Sequence, residues 1–244
     1  MSSMTMDRLD GLEALLFDTW GTVVDWRSSV LDELGALSAR RSLNLDCEKF
    51  LTEWRAAYKP GIEKVIGGEW PWTPVSEIYR RALRSLAPRY GMESLTEAEL
   101  EHLNRAWTRT RPWPDSVKGL TRLKRRYVLS PLSNGDFRWL TDIARFAGLP
   151  FDCIITAENA RHYKPDPEAY LTALELLGCP ADRVMLVAAH NYDLRAARTL
   201  GLATAFVARP LEFGPRQTTD LRAEEHWDII AGDLEDLATQ LGGN

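Results

Sequence analysis

A short apolar run that ends in an acid and a tight turn is the segment that most constrains this chain. Residues 15–25 read LLFDTWGTVVD, so that Asp18 directly follows a probable buried strand, Glu13–Phe17. In open α/β sheets, ligands bind at the carboxyl ends of the strands. A carboxylate at that edge can serve as a covalent nucleophile, which makes Asp18 the first candidate catalytic residue.

After this strand the chain carries helical patterns, and no convincing alternating strand follows as far as residue 111. The predicted helices are Ser28–Arg41, Cys47–Tyr58, Val75–Leu86 and Glu97–Thr108. The stretch has the character of an insert placed after the first strand. We therefore predict a helical cap domain over residues 27–111, and a core domain formed by residues 11–26 and 112–240.

Beyond residue 114, strand and helix patterns alternate. The predicted strands are Tyr127–Leu132, Cys153–Ile155, Val184–Ala188, Ala203–Val207 and Ile229–Ile230, and the helices are Ser116–Arg126, Trp139–Ala147, Pro167–Leu177 and Leu194–Leu200. Such alternation is typical of a parallel sheet with right-handed crossovers. The predicted fold class is α/β: a Rossmann-like, doubly wound parallel sheet core with an inserted helical cap domain.

Composition narrows the classes of function. The 244-residue chain has a formal net charge of −5, which argues against broad electrostatic binding to nucleic acid or an anionic membrane. Residues 1–10 lack the basic start and apolar stretch of a signal peptide, and no apolar run approaches a membrane span in length. Three widely spaced cysteines predict reduced thiols in a cytoplasmic protein.

Polar residues follow four of the predicted strands, and one edge of a parallel sheet would bring them together. They are Asp18 with Thr22, Ser133-Asn134-Gly135, Lys164-Pro165-Asp166, and the segment AAHNYD at 188–193. Each segment alone is an ordinary turn, helix cap or loop. Four of them in this order and spacing are much harder to explain in that way.

These four segments resemble the motifs of the haloacid dehalogenase superfamily and, within it, those of the L-2-haloacid dehalogenases (type II), over roughly residues 11–240. The resemblance implies that Asp18 is the nucleophile and that Ser133, Lys164 and Asp193 belong to the later motifs. It also implies hydrolysis of short 2-haloalkanoic acids, such as haloacetate and (S)-2-halopropionate, to 2-hydroxy acids. The reaction would pass through an aspartyl ester and need no metal or organic cofactor.

Two departures separate this chain from the phosphatases of that superfamily. Their Asp-x-Asp-Gly-Thr motif has a second Asp that protonates the leaving alkoxide, and Trp20 stands at that position here. Their acid pair helps to hold Mg²⁺, and Ala189 stands at the first of those positions. A halide leaves without a proton, and the attacked carbon carries no negative charge, so both losses suit a metal-free dehalogenase.

The resemblance implies further roles close to Asp18. Lys164 would orient the nucleophile and lower its pKa. Thr22 and Ser133 would hydrogen-bond the carboxylates of the nucleophile and the substrate. Backbone N–H groups of the loop that begins at Thr19 would help to bind the substrate carboxylate.

Other site residues are expected from the insert and from the later helices. Arg55 resembles an arginine that binds the departing halide, a task that Asn134 would share, and Tyr170 matches an active-site tyrosine. From spacing alone, an exposed helix arginine and a core tyrosine explain Arg55 and Tyr170 equally well. Trp20 and Tyr192 are expected to form apolar walls around the substrate carbon.

The fourth motif departs from the dehalogenase pattern, which commonly reads Ser-Ser-Asn-x-x-Asp and uses its Ser and Asn to organise the hydrolytic water. This chain has Ala188, Ala189 and His190 before Asp193. Our hypothesis is that His190, paired with Asp193, positions or deprotonates that water, because neutral imidazole has a suitable pKa. The alternative is a histidine that only packs and hydrogen-bonds at the strand end.

Two other functions stay open at this stage. A small-molecule phosphatase would depend on Mg²⁺, and a non-catalytic binding module would keep only the fold. The expected partner is a small-molecule 2-haloacid, with no nucleic acid and no membrane. A homodimer is plausible because related enzymes commonly dimerise, although the sequence carries no interface signature.

Overall fold

A six-stranded sheet forms the centre of the computed structural model, which describes residues 9–242. Its strands and those of a small hairpin are β1 (Ala14–Phe17), β2 (Val24–Asp25), β3 (Arg111–Pro112), β4 (Val128–Ser133), β5 (Ile155–Thr156), β6 (Val184–Ala188), β7 (Ala203–Val207) and β8 (Ile229–Ala231). The order is β5-β4-β1-β6-β7-β8, and all neighbours in it are parallel. The predicted α/β fold class is confirmed. The expectation about a signal peptide concerns residues 1–10, most of which lie outside the described range.

The position of β1 in this sheet decides where a ligand can bind. All four residues of β1 are buried, as expected for a central parallel strand covered on both faces. The strand lies between β4 and β6, so the chain passes first to one side of it and later to the other. Crevices form at the carboxyl ends of strands where the winding reverses. Asp18, the residue after β1, therefore lies at the mouth of that crevice.

The helices largely follow the predicted pattern. They are α1 (Trp26–Arg41), α2 (Cys47–Ala56), α3 (Tyr58–Ile66), α4 (Val75–Leu86), α5 (Glu97–Asn104), α6 (Ser116–Leu123), α7 (Phe137–Ala147), α8 (Ala157–Ala160), α9 (Pro167–Leu177), α10 (Asn191–Thr199) and α11 (Leu234–Gln240). Short 3₁₀ helices cover Ala87–Tyr90, Arg105–Thr108 and Ala181–Arg183.

The predicted helix Cys47–Tyr58 divides at Ala57, where α2 ends and α3 begins. Pro60 explains the division, because its ring would clash with the carbonyl of Ala56 in a continuous helix. In the first turn of α3 the same proline is tolerated, since its missing N–H needs no helical partner there. The break turns the chain so that Arg55 and Tyr58 face the same cavity.

A hydrophobic cluster that includes Phe50, Trp54, Leu83 and Trp107 fills the insert and extends to Trp139 outside it. Separate clusters cover the two faces of the large sheet. At the base of the insert, β2 and β3 pair antiparallel, with Val24 opposite Pro112. The division into a cap over 27–111 and a core over 11–26 and 112–240 stays a prediction, and this hairpin lies at its proposed boundary.

Two further expectations concern the environment of the protein. Within residues 9–242, no helix combines the length and the apolar character that a membrane crossing requires. Cys47, Cys153 and Cys179 are unpaired and partly buried.

Gly119 sets the distance between α6 and α11, and it supplies a test of the packing. A Cβ atom at Gly119 would lie 2.5 Å from the backbone carbonyl of Leu234, so Gly119→Ala must push the two helices apart. We expect the free energy of unfolding to fall by about 1–3 kcal/mol, the usual range for an overpacked core. Urea denaturation of the purified protein measures this change.

Gly35 provides the matched control in the exposed part of α1. A Cβ there meets nothing within 4 Å, so Gly35→Ala should raise the free energy of unfolding. The expected gain is about 0.5–1 kcal/mol from the lost backbone freedom of glycine in a helix. Equal effects of the two substitutions would contradict the close approach of α6 and α11.

Candidate active site

A buried lysine lies between two carboxylates at the carboxyl edge of the sheet. Lys164 Nζ donates to Asp18 Oδ1 at 3.1 Å and also to Asp193. The side chain of Lys164 is 1% exposed, so this charge has essentially no contact with water. Asp18 follows β1 and Asp193 lies in the first turn of α10, so one ammonium joins two motifs that are 175 residues apart.

The pKa values of Asp18 and Asp193 are shifted in opposite directions. Burial alone would raise the pKa of Asp18, but Lys164 and His190 outweigh it and hold that pKa well below its usual range. For Asp193, burial dominates and raises the pKa despite Lys164, and the charge of Asp18 adds to the rise. Asp18 is therefore the group held as a carboxylate. The predicted effect of Lys164 on its pKa agrees with this geometry.

Thr22 and Asn134 hold this arrangement from either side. Thr22 Oγ1 donates to Asp18 Oδ2 at 2.9 Å and accepts from the N–H of Ala189 at 2.9 Å. Asn134 Oδ1 accepts from the N–H of Lys164 at 2.7 Å, and its Nδ2 donates to the Lys164 carbonyl and to Tyr58 Oη. Both amide hydrogens of Asn134 are thus engaged. Its predicted halide contact stays a prediction that requires the Tyr58 bond to exchange.

The structure corrects the expected partner of His190. Nδ1 lies 3.1 Å from Asp18 Oδ2 and Nε2 lies 2.8 Å from Glu212 Oε2, whereas the predicted pairing with Asp193 is wrong. The oxygens of Asp193 are taken by Lys164 and Tyr170. Burial would lower the pKa of His190, but Glu212 and Asp18 raise it well above its ordinary value. The resting imidazole is therefore a cation that donates to both carboxylates, not the neutral base that we expected.

A cavity of about 160 Å³ lies between Asp18 and the helical insert. Its walls include most of the predicted site residues, together with residues that the sequence did not indicate. The lining side chains are Asp18, Trp20, Trp26, Arg55, Tyr58, Val75, Tyr79, Trp107, Ser133, Asn134, Lys164, His190, Tyr192, Phe213, Thr219 and Asp220.

Arg55 contributes a positive charge to this cavity. Its guanidinium lies 4.4 Å from the centre of the Tyr58 ring and 5.6 Å from that of Trp26. Within the described part of the chain it forms no ion pair with a carboxylate, whereas the buried cations Lys164 and Arg209 do. A cation that lies against aromatic rings and has no carboxylate bonded to it is suited to receive an anion.

An aromatic wall faces Asp18 from the insert. Trp20 lines the cavity as predicted, and its indole N–H donates to the Trp107 carbonyl at 3.0 Å. Trp107 stacks on Tyr79 with ring centres 4.4 Å apart. Tyr79 and Trp107 could not be recognised from the sequence, because aromatic residues at helical spacing also describe an ordinary core.

Two predicted substrate-binding residues do not reach the cavity wall. Thr19 is fully buried with no hydrogen-bond partner for Oγ1 in the described residues. Its carbonyl accepts from Val23 and Val24, which closes the turn after β1. Tyr170 is also fully buried and donates to Asp193. The geometry makes Thr19 a turn residue and Tyr170 a support for Asp193. Substrate binding by backbone N–H groups of the loop that begins at Thr19, and an active-site role of Tyr170, stay predictions.

Glu212 was not predicted, although it lies next to the candidate nucleophile. It belongs to the loop after β7 and is 1% exposed. The predicted strand Ala203–Val207 is a fifth strand end at the same edge, and polar residues after it were candidates on the same ground. Asp193 also lies five residues beyond its strand, but it was selected within a family motif, and the resemblance offered no such motif around Glu212.

Potential metal ligands lie elsewhere in the described chain. His162, Asp166 and Glu168 form a partly exposed group whose ligand atoms approach within 4.8 Å of one another. His162 and Asp166 already bond each other at 2.8 Å. At the sheet edge, Asp18 and Asp193 instead share Lys164, a cation supplied by the chain itself.

Fold and site together describe an α/β protein with a candidate aspartate nucleophile at a winding reversal, beneath a helical insert. A family model described as haloacid dehalogenase-like hydrolase matches residues 12–201. The chain belongs to this family of hydrolases, as the four motifs indicated.

Solved structures extend the comparison. The L-2-haloacid dehalogenase PA0810 is 49% identical, with a TM-score of 0.89 over 94% of this chain and 99% of that one. The defluorinating L-2-haloacid dehalogenase Rha0230 is 45% identical, with a TM-score of 0.92 over 95% of each chain. The L-2-haloacid dehalogenase from Xanthobacter autotrophicus, with chloropropionic acid covalently bound, is 26% identical, with a TM-score of 0.77 over 95% and 99%.

Replacement of Lys164 tests the charge arrangement through stability. Lys164→Met leaves two adjacent buried carboxyls without their cation, which should lower the free energy of unfolding at pH 7 by about 3–5 kcal/mol. In the variant Asp193 loses the cation that opposes the effect of its burial, so its pKa rises further above the unfolded value of about 4 and the folded state binds more protons. Its stability should therefore increase as the pH is lowered from 7 toward 5, as measured by urea denaturation at several pH values.

Lys124→Met is the control for that experiment. Lys124 pairs with Asp152 at 2.7 Å, but its side chain is 40% exposed. The loss should be below about 1 kcal/mol, because exposed ion pairs contribute little. A similar, pH-independent loss in both variants would contradict the assigned role of Lys164.

Proposed function

We propose that this protein hydrolyses the carbon–halogen bond of short 2-haloalkanoic acids and releases halide and the 2-hydroxy acid. One observation carries the proposal: Asp18 is held as a buried carboxylate by Lys164 and faces a small cavity that also contains the unpaired cation Arg55. Asp18 can attack an electrophilic carbon, and the nearby cation can bind negative charge on the substrate or on the group that leaves it. Names of relatives at 45–49% identity support the same reaction class.

In the first half-reaction, a carboxylate oxygen of Asp18 attacks carbon 2 of the substrate. The new C–O bond forms as the carbon–halogen bond breaks, and the bonding electron pair leaves with the halide. Configuration at carbon 2 inverts, and no proton is transferred. An ester in which the substrate is linked to Asp18 results, and the covalently bound chloropropionic acid in the Xanthobacter autotrophicus structure supports a covalent step.

Anion binding in the cavity divides between two groups. Arg55, stacked on Tyr58, receives the departing halide. Ser133, at the end of β4, lines the cavity beside Asn134 and hydrogen-bonds the substrate carboxylate. Trp20 and Tyr192 enclose carbon 2 from the cavity wall.

A phosphatase reaction fits this site less well. Trp20 occupies the position of the general acid and donates its only N–H to the Trp107 carbonyl, so it has no proton to deliver to a leaving alkoxide. Asp193, the remaining acid of the fourth motif, is bonded to Lys164 and Tyr170. Mg²⁺-dependent phosphate release is therefore the result that would contradict the proposal.

The proposed location and assembly rest on other observations. We infer a cytoplasmic enzyme from the three unpaired cysteines, and a homodimer by analogy with related enzymes. Size-exclusion chromatography with light scattering decides between monomer and dimer.

The central experiment measures halide release with EDTA present. The panel comprises chloroacetate, each enantiomer of 2-chloropropionate, and fluoroacetate, because one relative is described as defluorinating. We expect EDTA-resistant halide release from chloroacetate and from the (S)-enantiomer, abolished in Asp18→Asn, which keeps the shape of the side chain but weakens the nucleophile. A phosphate ester with Mg²⁺ is assayed in parallel, and phosphate release without halide release would favour the phosphatase.

Arg55 supplies a second test of the proposed function. Arg55→Met removes the anion-binding charge while keeping an apolar stem against Tyr58. The loss of one hydrogen bond to a charged group, about 1.5–3 kcal/mol, predicts kcat/KM lower by about 10- to 100-fold. Added bromide should also inhibit the variant less than the wild type.

Arg81→Met is the matched substitution outside the cavity. Arg81 also stacks on an aromatic ring, Trp70, at 4.7 Å, but its side chain is 49% exposed and pairs with Glu77. Its kcat/KM should stay within about twofold of the wild type. An equal loss in both variants would argue against a halide site at Arg55.

A further inference from the structure

The second half-reaction needs a base near the Asp18 ester, and Asp193 is poorly placed to supply it. Asp193 is fully buried, and its two oxygens accept from Lys164 and Tyr170. His190 Nδ1, by contrast, lies one hydrogen bond from Asp18 Oδ2 and lines the cavity. A water in contact with both Nδ1 and the ester carbon would be positioned for attack.

Glu212 fixes the other nitrogen of the same ring. Its Oε2 lies 2.8 Å from His190 Nε2, and its Oε1 accepts from the indole N–H of Trp26 at 3.1 Å. Both oxygens are therefore directed by donors. This resembles the general arrangement in which a carboxylate orients an imidazole so that its far nitrogen acts as the base.

The fold holds Glu212 in place through the loop that carries it. Arg209, at the start of that loop, is 6% exposed and forms a bidentate ion pair with Asp115 at 2.8 and 2.7 Å. Its Nε also donates to the carbonyl of Thr22, so the Glu212 loop is tied to the loop of the nucleophile.

Gly21 provides the space for the Glu212 carboxylate. Its φ of +90° disfavours other residues, and a Cβ there would lie 2.2 Å from Glu212 Cδ. The turn after Asp18 is thus shaped around an acid from a distant loop. A surface carboxylate that merely happened to approach His190 would not require this fit.

We propose that Glu212 is a positioning residue that makes His190 Nδ1 the base for hydrolysis of the Asp18 ester. Ester formation enables Nδ1 to act as this base, because it removes the Asp18 charge that holds the Nδ1 proton. The inference rests on the proposed dehalogenase function. In the resting enzyme the Nδ1 proton is held by the Asp18 carboxylate. Once Asp18 is an ester, that negative charge is gone and only Glu212 still holds the imidazole.

The proton balance follows the overall reaction, which must release one proton with each halide. After ester formation, His190 gives its Nδ1 proton to solvent. Neutral Nδ1 then takes a proton from water as the hydroxide adds to Asp18 Cγ. The tetrahedral adduct expels the 2-hydroxy acid alkoxide, which takes the proton from Nδ1. The regenerated carboxyl of Asp18 returns its proton to Nδ1, and the resting state is restored.

Charged and titratable groups face His190 from each side. Asp18 follows β1, Glu212 lies in the loop after β7, and the ring of Tyr192 in α10 stacks at 5.9 Å. Ester formation removes the charge of Asp18 but leaves that of Glu212. The rate of ester hydrolysis should therefore rise with pH as His190 loses its proton, and removal of the Glu212 charge should move this rise to lower pH.

Rapid-quench kinetics with Glu212→Gln tests the inference on the full chain. A burst of one halide per active site reports ester formation, the steady state reports hydrolysis, and mass spectrometry detects the Asp18 ester. For the variant we expect a burst rate within about threefold of the wild type, turnover lower by about 10- to 100-fold, and accumulated ester. The pH at which hydrolysis reaches half its maximal rate should fall by about one unit or more.

Glu224→Gln is the control, since Glu224 pairs with Arg195 at the surface and is 50% exposed. It should leave both rates unchanged. His190→Ala should accumulate ester as well, and adding Glu212→Gln to it should slow hydrolysis little further, because the two residues act as a unit.

Several results would overturn the inference. If Glu212→Gln slows burst and turnover equally, or slows neither, or leaves the pH profile unmoved, Glu212 does not direct the base. Partial unfolding lowers the burst amplitude but not the ratio of the two rates. If Glu212→Gln does not fold, Glu212→Asp, which keeps the charge but withdraws it from His190 Nε2, tests the ratio of the two rates. Absence of halide release from the wild type would instead contradict the proposed function itself.

Discussion

The structure of this site depends on one buried ammonium group. Lys164 is the cation that allows Asp18 and Asp193 to lie together away from water, and the Asn134 amide fixes its backbone. Without that charge, two adjacent carboxylates at the sheet edge would repel each other, and one would take up a proton. Because the cation comes from the chain, the geometry is complete before any ligand binds. An ionised carboxylate facing a cavity can then attack carbon without first being deprotonated.

Around Lys164, most charged side chains contact groups of opposite charge, and Arg55 is an exception. Lys164 hydrogen-bonds Asp18 and Asp193, and His190 hydrogen-bonds Asp18 and Glu212. Arg55 has aromatic neighbours in place of a bonded acid, and in our proposal its charge binds the departing halide. Asp18 is shared by two cations, so its conversion to an ester changes the field at both of them. In our proposal, that change converts His190 from a donor into a base.

The sequence predicted the sheet and the motif residues well, for a physical reason. Buried parallel strands are short apolar runs, and the polar residue after each run marks the edge where ligands bind. Asp18, Lys164 and Asp193 were found in this way. The division of Cys47–Tyr58 at Ala57 was not predicted, although Pro60 was the signal for it. The roles expected for Thr19 and Tyr170, and the partner of His190, came from resemblance and could not be checked without coordinates.

What the sequence determined by itself was therefore the fold class, the family and the set of residues at the ends of the strands, because each depends on a local pattern. Tertiary structure alone decided which of those residues touch. It placed Glu212 on His190, arranged Arg55 over Tyr58, and closed the cavity with Trp107 from the insert. The contact of Glu212 with His190 spans 22 residues, that of Trp107 with Trp20 spans 87, and Arg55 meets Tyr58 across a helix break, so no local spacing encodes them. A hydrogen bond such as that from Trp26 to Glu212, across 186 residues, exists only once the loops after β1 and β7 have been brought to the same edge.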